Sequence, residues 1–192
     1  MLKLTVAPTD EPVTAGEARA HCRIDSADEN VVVSAMIARA RAAAEHETQR
    51  CLVATTYEWY LDAWPSGTEL LIPRPPLSSV TSVKYRDTNG TLQTLSSANY
   101  HVDTVSEPGR IWLADGQTWP NLQMQRPNVV VITFVAGYAT AAAVPAAIKG
   151  WILLHVGAQY ENRENMTVAN GQSVQTMPFV DGLLDPYRIP RV

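Results

Sequence analysis

Four histidines and two cysteines are the residues from which nucleophilic or metal chemistry would have to be built in this 192-residue chain. A thiol becomes a strong nucleophile when a histidine within hydrogen-bond reach takes its proton. His21 adjoins Cys22 and His46 precedes Cys51, but neither spacing suits that task. Adjacent side chains on a helix point about 100° apart, and His46 and Cys51 are separated by more than a turn. The acid pairs Asp10-Glu11 and Asp28-Glu29 are sequence neighbours, which does not make two carboxylates converge on one substrate. His155 has no second histidine, thiol or acid at ligand spacing, the pattern of a satisfied core or interface histidine. A glycine-rich phosphate loop, a Gly-x-Ser-x-Gly elbow and a His-Glu-x-x-His pair are all missing from the sequence. The expectation is no catalytic residue, no metal ligand and no cofactor. One chemical alternative remains, a small ligand-binding or hydrolytic module with Trp59, Trp64, Trp112 and Trp119 lining a pocket, although such aromatics more commonly build a core.

Composition narrows the partners. Hydrophobic residues make up 46% and charged residues 18%, an ordinary globular balance that excludes a wholly disordered chain. Fifteen basic against nineteen acidic residues give a net charge of −4, with no basic run that would clamp phosphates. Such a surface tolerates DNA passing nearby without gripping it. The two cysteines are too few for a disulfide framework and read as reduced thiols. The first dozen residues lack an apolar stretch long enough for a signal peptide. Residues 127–148 carry no charge, but β-branched 129–135, the break at Gly137-Tyr138 and Pro145 make them a buried strand followed by a helix, so no membrane span is expected.

These residues must be positioned by helices flanking a β region. Thr14-Ala15-Gly16-Glu17 fits a capping box and predicts a short helix over 15–22. Residues 23–26 end it and cap a longer helix, with Asp28 and Glu29 in its first turn and Arg50 near its end, as the helix dipole favours. Val32, Met36 or Ile37, Ala40, Ala44 and Glu47 trace its successive turns. Ala38, Ala40, Ala42, Ala43 and Ala44 make one side smooth enough for close approach of another helix, within the chain or in a neighbouring subunit. From residue 53 the pattern turns to β: segments 55–61, 69–72, 79–86, 91–95 and 129–135, with 100–104 and 110–113 as a further strand pair around Pro108-Gly109, predict a compact β domain of about six strands. Asp87-Thr88-Asn89-Gly90 marks a hairpin turn. Pro145 opens a third helix to about residue 160, along which Ile148, Trp151 or Ile152, His155 and Gln159 recur at three- and four-residue steps. The fold class is therefore α+β, an α-helical bundle with an inserted small antiparallel β domain and an extended C-terminal arm. The expected divisions are a helical part over 1–52, a β domain over 53–140, a helix over 141–162 and a linker with the arm over 163–192.

That last segment is unusual. Residues 161–177 are polar and without period, as in a flexible linker, yet 180–192 read Val-Asp-Gly-Leu-Leu-Asp-Pro-Tyr-Arg-Ile-Pro-Arg-Val. Pro186 and Pro190 forbid a regular helix and cannot donate to a sheet ladder. An extended, apolar anchor on a flexible tether suits docking on a partner better than covering its own core.

The Thr-Ala-Gly-Glu-Ala-Arg-Ala-His-Cys-Arg-Ile-Asp opening, the alanine-rich second helix, Ile-Pro-Arg-Pro-Pro-Leu-Ser-Ser-Val at 72–80, Tyr-Glu-Asn-Arg-Glu at 160–164 and Leu-Leu-Asp-Pro-Tyr-Arg at 183–188 appear in this order. In that order and spacing the chain resembles the head-to-tail connector, or adaptor, proteins of long-tailed double-stranded DNA phages and prophages. The resemblance implies a structural virion protein that forms a homo-oligomeric ring of about twelve copies beneath the portal. It would prolong a channel through which DNA slides without specific binding, and meet a tail or stopper protein on the other side. It implies a place in the virion neck, with host cytoplasm as the site of assembly. Leu183, Leu184, Pro186, Tyr187, Arg188 and Ile189 would be the portal-binding arm, and Ala38, Arg39, Ala42 and His155 a subunit interface. An alternative within the same particle is a neck or tail-completion protein that contacts its partners through the β domain.

Overall fold

The computed structural model describes residues 1–161, 180 and 182–189. It is a mixed α+β fold with two antiparallel sheets and three α-helices among these residues. The chain divides into two units, one of Met1–Thr9 with Val53–Ala139 and one of Asp10–Leu52 with Thr140–Val192.

The first unit is all β. Its five-stranded sheet runs in the order β1 (Leu2–Val6), β2 (Thr55–Leu61), β8 (Val130–Ala136), β4 (Leu77–Arg86), β5 (Leu92–Thr94). β8 is central because alternate side chains, Val130, Ile132, Phe134 and Ala136, are all buried, the period-two pattern a strand needs to present one face to a core. Tyr57 of β2 lies opposite Phe134 and stacks on it with ring centroids 5.7 Å apart. Gly137, at φ +105°, ends β8 where a Cβ would come within 2.3 Å of the Val53 carbonyl oxygen, so only glycine fits. The β4–β5 turn closes as expected: Gly90 is left-handed at φ +82° and its amide donates to the Asp87 carbonyl at 2.9 Å. The Asp87 side chain accepts from the amides of Asn89 and Thr91.

A second sheet has three strands, β3 (Glu69–Leu71), β7 (Arg110–Leu113) and β6 (Tyr100–Asp103); the β6–β7 pair is as expected, but its joining β3 apart from the five-stranded sheet was not separable in the sequence. The reason is that strand signals are local, whereas partner choice depends on contacts distant in sequence. β1 was missed for a related reason. Four of its five residues are exposed, so it lacks the alternation by which a half-buried strand is recognised. It pairs with β2, which puts residues 1–9 in the sheet unit instead of the helical part assigned to 1–52.

The described part of the second unit is helical. The Glu17 amide donates to Thr14 Oγ1 at 3.1 Å and the Thr14 amide donates to Glu17 Oε2 at 2.7 Å, the reciprocal box that opens α1 (Ala15–Cys22). Arg23, left-handed at φ 57°, closes it. Ser26 caps a one-turn 3-10 helix, Ala27–Glu29, so Asp28 and Glu29 precede α2 (Asn30–Thr48) and are not its first turn. Val33, Met36, Ile37, Ala40, Ala44 and Thr48 are the buried face of α2. The expected stripe was one residue out of phase at both ends, for Val32 and Glu47 face outward while Val33 and Thr48 are buried. α3 (Ala146–Glu161) begins with the Pro145 carbonyl accepting from the Lys149 amide, and buries Ile148, Trp151, Ile152 and Val156.

Candidate functional site

The C-terminal end of α2 leaves carbonyls without helical partners, as every helix does. Gln49 turns the chain away in a left-handed conformation, and the described C-terminal residues fill the space this opens. The Ile189 amide donates to the Thr48 carbonyl at 3.1 Å, and Arg50 Nε, on a side chain that is itself buried, donates to the Tyr187 carbonyl at 2.6 Å. Leu184, 1% exposed, sits in the core of this unit. At the rim, Arg188 reaches Glu47 and Asp185, each at 3.4 Å, exposed pairs worth little by themselves.

The extended arm expected over 180–192 is therefore corrected for residues 182–189. Asp185–Tyr187 is a 3-10 turn, Pro186 at its start contributing the φ such a turn wants and lacking only an amide that no helical partner would claim. The proline argument excluded a long helix but not a single turn. Of the candidate anchor residues, Leu184 is fully buried, Leu183, Tyr187 and Ile189 are half-buried, and Pro186 and Arg188 are exposed. Pro190, which carried part of that expectation, and the linker assigned to 163–179 lie outside the described residues. Glu47, Thr48 and Arg50, which hold the segment, were missed as a group. Arg50 was read only as a cation suited to a helix end, and its backbone-carbonyl partner lies 137 positions along the chain.

The candidate subunit-interface residues divide. Arg39 and Ala42 are exposed and Ala38 half-buried on the outer side of α2. His155 belongs elsewhere: it is half-buried on α3 and stacks on Trp151 with centroids 4.6 Å apart, and burial pushes its pKa down, favouring the neutral ring.

Of the four tryptophans, Trp59 lies half-buried on β2 opposite Ile132. Trp64 and Trp119 stack at 4.5 Å and donate their indole N–H groups to the carbonyls of Pro120 and Gly67, which fastens two loops together. Trp112 stands on the outer face of the three-stranded sheet beneath the Arg110 guanidinium, 5.8 Å from it. Arg110 also pairs with Glu69 at 3.0 Å and Asp103 at 3.3 Å. The Ser106 hydroxyl, with the Ser106 and Val105 amides and Arg110, holds the Asp103 carboxyl down at about 2. Of the two thiols, Cys51 is buried, and burial pushes the Cys22 thiol up. Among the described residues no group of three His, Cys, Asp or Glu could hold a metal ion, and no helix is long and apolar enough to cross a membrane.

No family model matches the sequence, and no curated protein matches it. Solved structures do. A chain in the neck of an empty gene transfer agent particle, computed with C6 symmetry, is 27% identical and superposes with a TM-score of 0.81 over 100% of this chain and 97% of that one. A chain of the virion of a native gene transfer agent particle is 25% identical with a TM-score of 0.80, with the same coverage. The fold also matches a chain in the native neck computed with C12 symmetry, at 24% identity and a TM-score of 0.78.

Proposed function

We propose that this protein is a structural component of the neck of a phage-like particle, acting there as the head-to-tail adaptor. The carrying observation is the end-to-end likeness to a neck chain, both units included, at a TM-score of 0.81. It is a structural protein, not an enzyme. The likeness agrees with an ordering of motifs that resembles connector proteins, and the C6 and C12 symmetries of the neighbouring necks support a closed ring. In this reading about twelve copies form a ring under the portal, meet a tail or stopper protein below and extend the channel for DNA. A net charge of −4 suits a lining along which DNA must slide. Assembly takes place in the host cytoplasm and the finished protein resides in the virion.

The arm of 183–189 docks on the portal after leaving its seat at the end of α2. The seat holds one fully buried leucine and two backbone-directed hydrogen bonds, a small enough set for a larger partner surface to replace. Deleting residues 180–192 tests this: a folded protein that no longer captures portal in a pull-down is the expected result, and unchanged capture refutes the arm's role.

A second reading, contact through the β domain, is favoured by the outer face of the three-stranded sheet. It exposes Trp112 at 45% and Leu71 at 50% beside Arg110, and tryptophan with arginine is the composition of interface hot spots. Trp112→Ala, with the 87–91 hairpin tip shortened in a separate variant, should abolish attachment under this reading alone.

A further inference from the structure

α3 is apolar nearly all round. Its sixteen residues, Ala-Ala-Ile-Lys-Gly-Trp-Ile-Leu-Leu-His-Val-Gly-Ala-Gln-Tyr-Glu, include only two charged ones, Lys149 and Glu161. A helix of that composition is normally buried on every side. Here the inner side holds Ile148, Trp151, Ile152 and Val156, while Leu154 is 36% exposed, Ala158 is exposed, and a Cβ on Gly150 would meet nothing within 4 Å. Gly150, Leu154, Ala158 and Glu161 follow at three- and four-residue steps, one continuous outer stripe.

α2 has the same anomaly. Its outer side carries Val31, 81% exposed, and Val32, 47% exposed, followed by exposed Ala35 and Ala42, where a surface helix ordinarily shows charge. Between residues 31 and 46 its exposed side chains include one cation, Arg39, and no carboxylate, whereas the exposed stripe of α3 includes one carboxylate, Glu161, and no cation.

We propose that these two stripes are the two halves of the contact between neighbouring copies: the outer face of α2 on one copy packs along the outer face of α3 on the next. This rests on the ring reading above. A ring of more than two subunits needs two different, mutually complementary patches on every copy, and the helical unit offers two, matched in apolar character and opposite in charge. Valine and leucine side chains against alanine and glycine allow the helix axes to approach closely, about 8 Å apart.

Disulfide trapping in the full-length chain tests the pairing, in a Cys22→Ser background. Ala35→Cys and Leu154→Cys proteins, concentrated and oxidised together, should give a covalent dimer containing one of each. The double variant should give a ladder of higher covalent species, and each single variant alone should give no covalent dimer. Covalent homodimers of either single variant would show a two-fold contact instead and overturn the proposal. So would an intrachain bond in the double variant, or no interchain bond at all. Ala35→Glu and Leu154→Glu, both at exposed positions, should each leave circular dichroism unchanged and abolish rings in negative-stain images. If rings persist in both, the contact lies elsewhere and the ring reading stands. If the wild-type chain is found in particles outside any ring, the ring reading itself fails.

Discussion

At Leu184 a single side chain ties the C-terminal segment to the helical unit. Because it is 1% exposed, Leu184→Ala removes packed methyl groups and leaves a gap, at about 2–5 kcal/mol. Urea denaturation should register this loss, whereas Leu154→Ala, at a position 36% exposed, should change stability by less than about 0.5 kcal/mol. Two glycines make a similar contrast. Gly150 lies inside α3 with nothing within 4 Å of a Cβ, so Gly150→Ala should stabilise by about 0.5–1 kcal/mol. Gly137→Ala should prevent folding or lower the melting temperature sharply, because its Cβ would meet backbone at 2.3 Å with φ at +105°. Asp103 supplies a pH signature. Its carboxyl is held at about 2 against an ordinary 3.8, so the folded state favours the charged form. The stabilisation is fully present above 3.8 and disappears as pH falls toward about 2. Thermal melts of Asp103→Asn should show a weaker acid dependence across that interval than the wild type.

Elements whose cause lies within a few residues were legible, and those whose cause lies across the chain were not. The capping box at Thr14 set the start of an expected helix and the turn at 23–26 its end, and the helix runs Ala15–Cys22. Thr14→Ala should cost about 1 kcal/mol, measured by chemical denaturation. The strand at Thr55–Leu61 and the turn at Asp87–Gly90 were equally readable, from β-branched and aromatic residues and from an Asn-Gly pair. α2 was placed, but Val32 and Val33 are chemically identical, and only tertiary contact decides which turns inward. β1 depends on partners at least fifty positions away, and β3 joins the second sheet through β7, about forty positions on. The candidate site was legible in composition but not in conformation: an apolar tail announces that it must be covered, and the sequence does not say by what. The seat offers one backbone carbonyl, that of Thr48, and the Arg50 guanidinium, and no side-chain pattern marks a carbonyl as awaiting a donor.

On the scale of the assembled particle, the proposed adaptor role turns on the cost of leaving the seat. Reburying Leu184 on a portal returns roughly what unseating it costs, about 1.5–3 kcal/mol, and ordering further tether residues costs about 1–2 kcal/mol each. Any net gain per arm must come from covering Leu183, Tyr187 and Ile189, which the seat leaves half-exposed, so one copy should hold a portal weakly. A ring changes this because, once one arm is bound, the others search at high effective concentration and their small gains multiply. Loss of the ring should then reduce portal capture as well, although the two use different surfaces. Leu154→Glu leaves every arm residue intact but, if α2 and α3 join the copies, should lower apparent portal affinity by at least about tenfold in surface-immobilised binding. Arg188→Ala, on an exposed arm residue, should weaken capture while sparing the rings. Equal portal binding by wild type and a demonstrably monomeric Leu154→Glu protein would mean that each arm is sufficient alone, and the seat would then have to be far weaker than its buried leucine and its two backbone-directed hydrogen bonds imply.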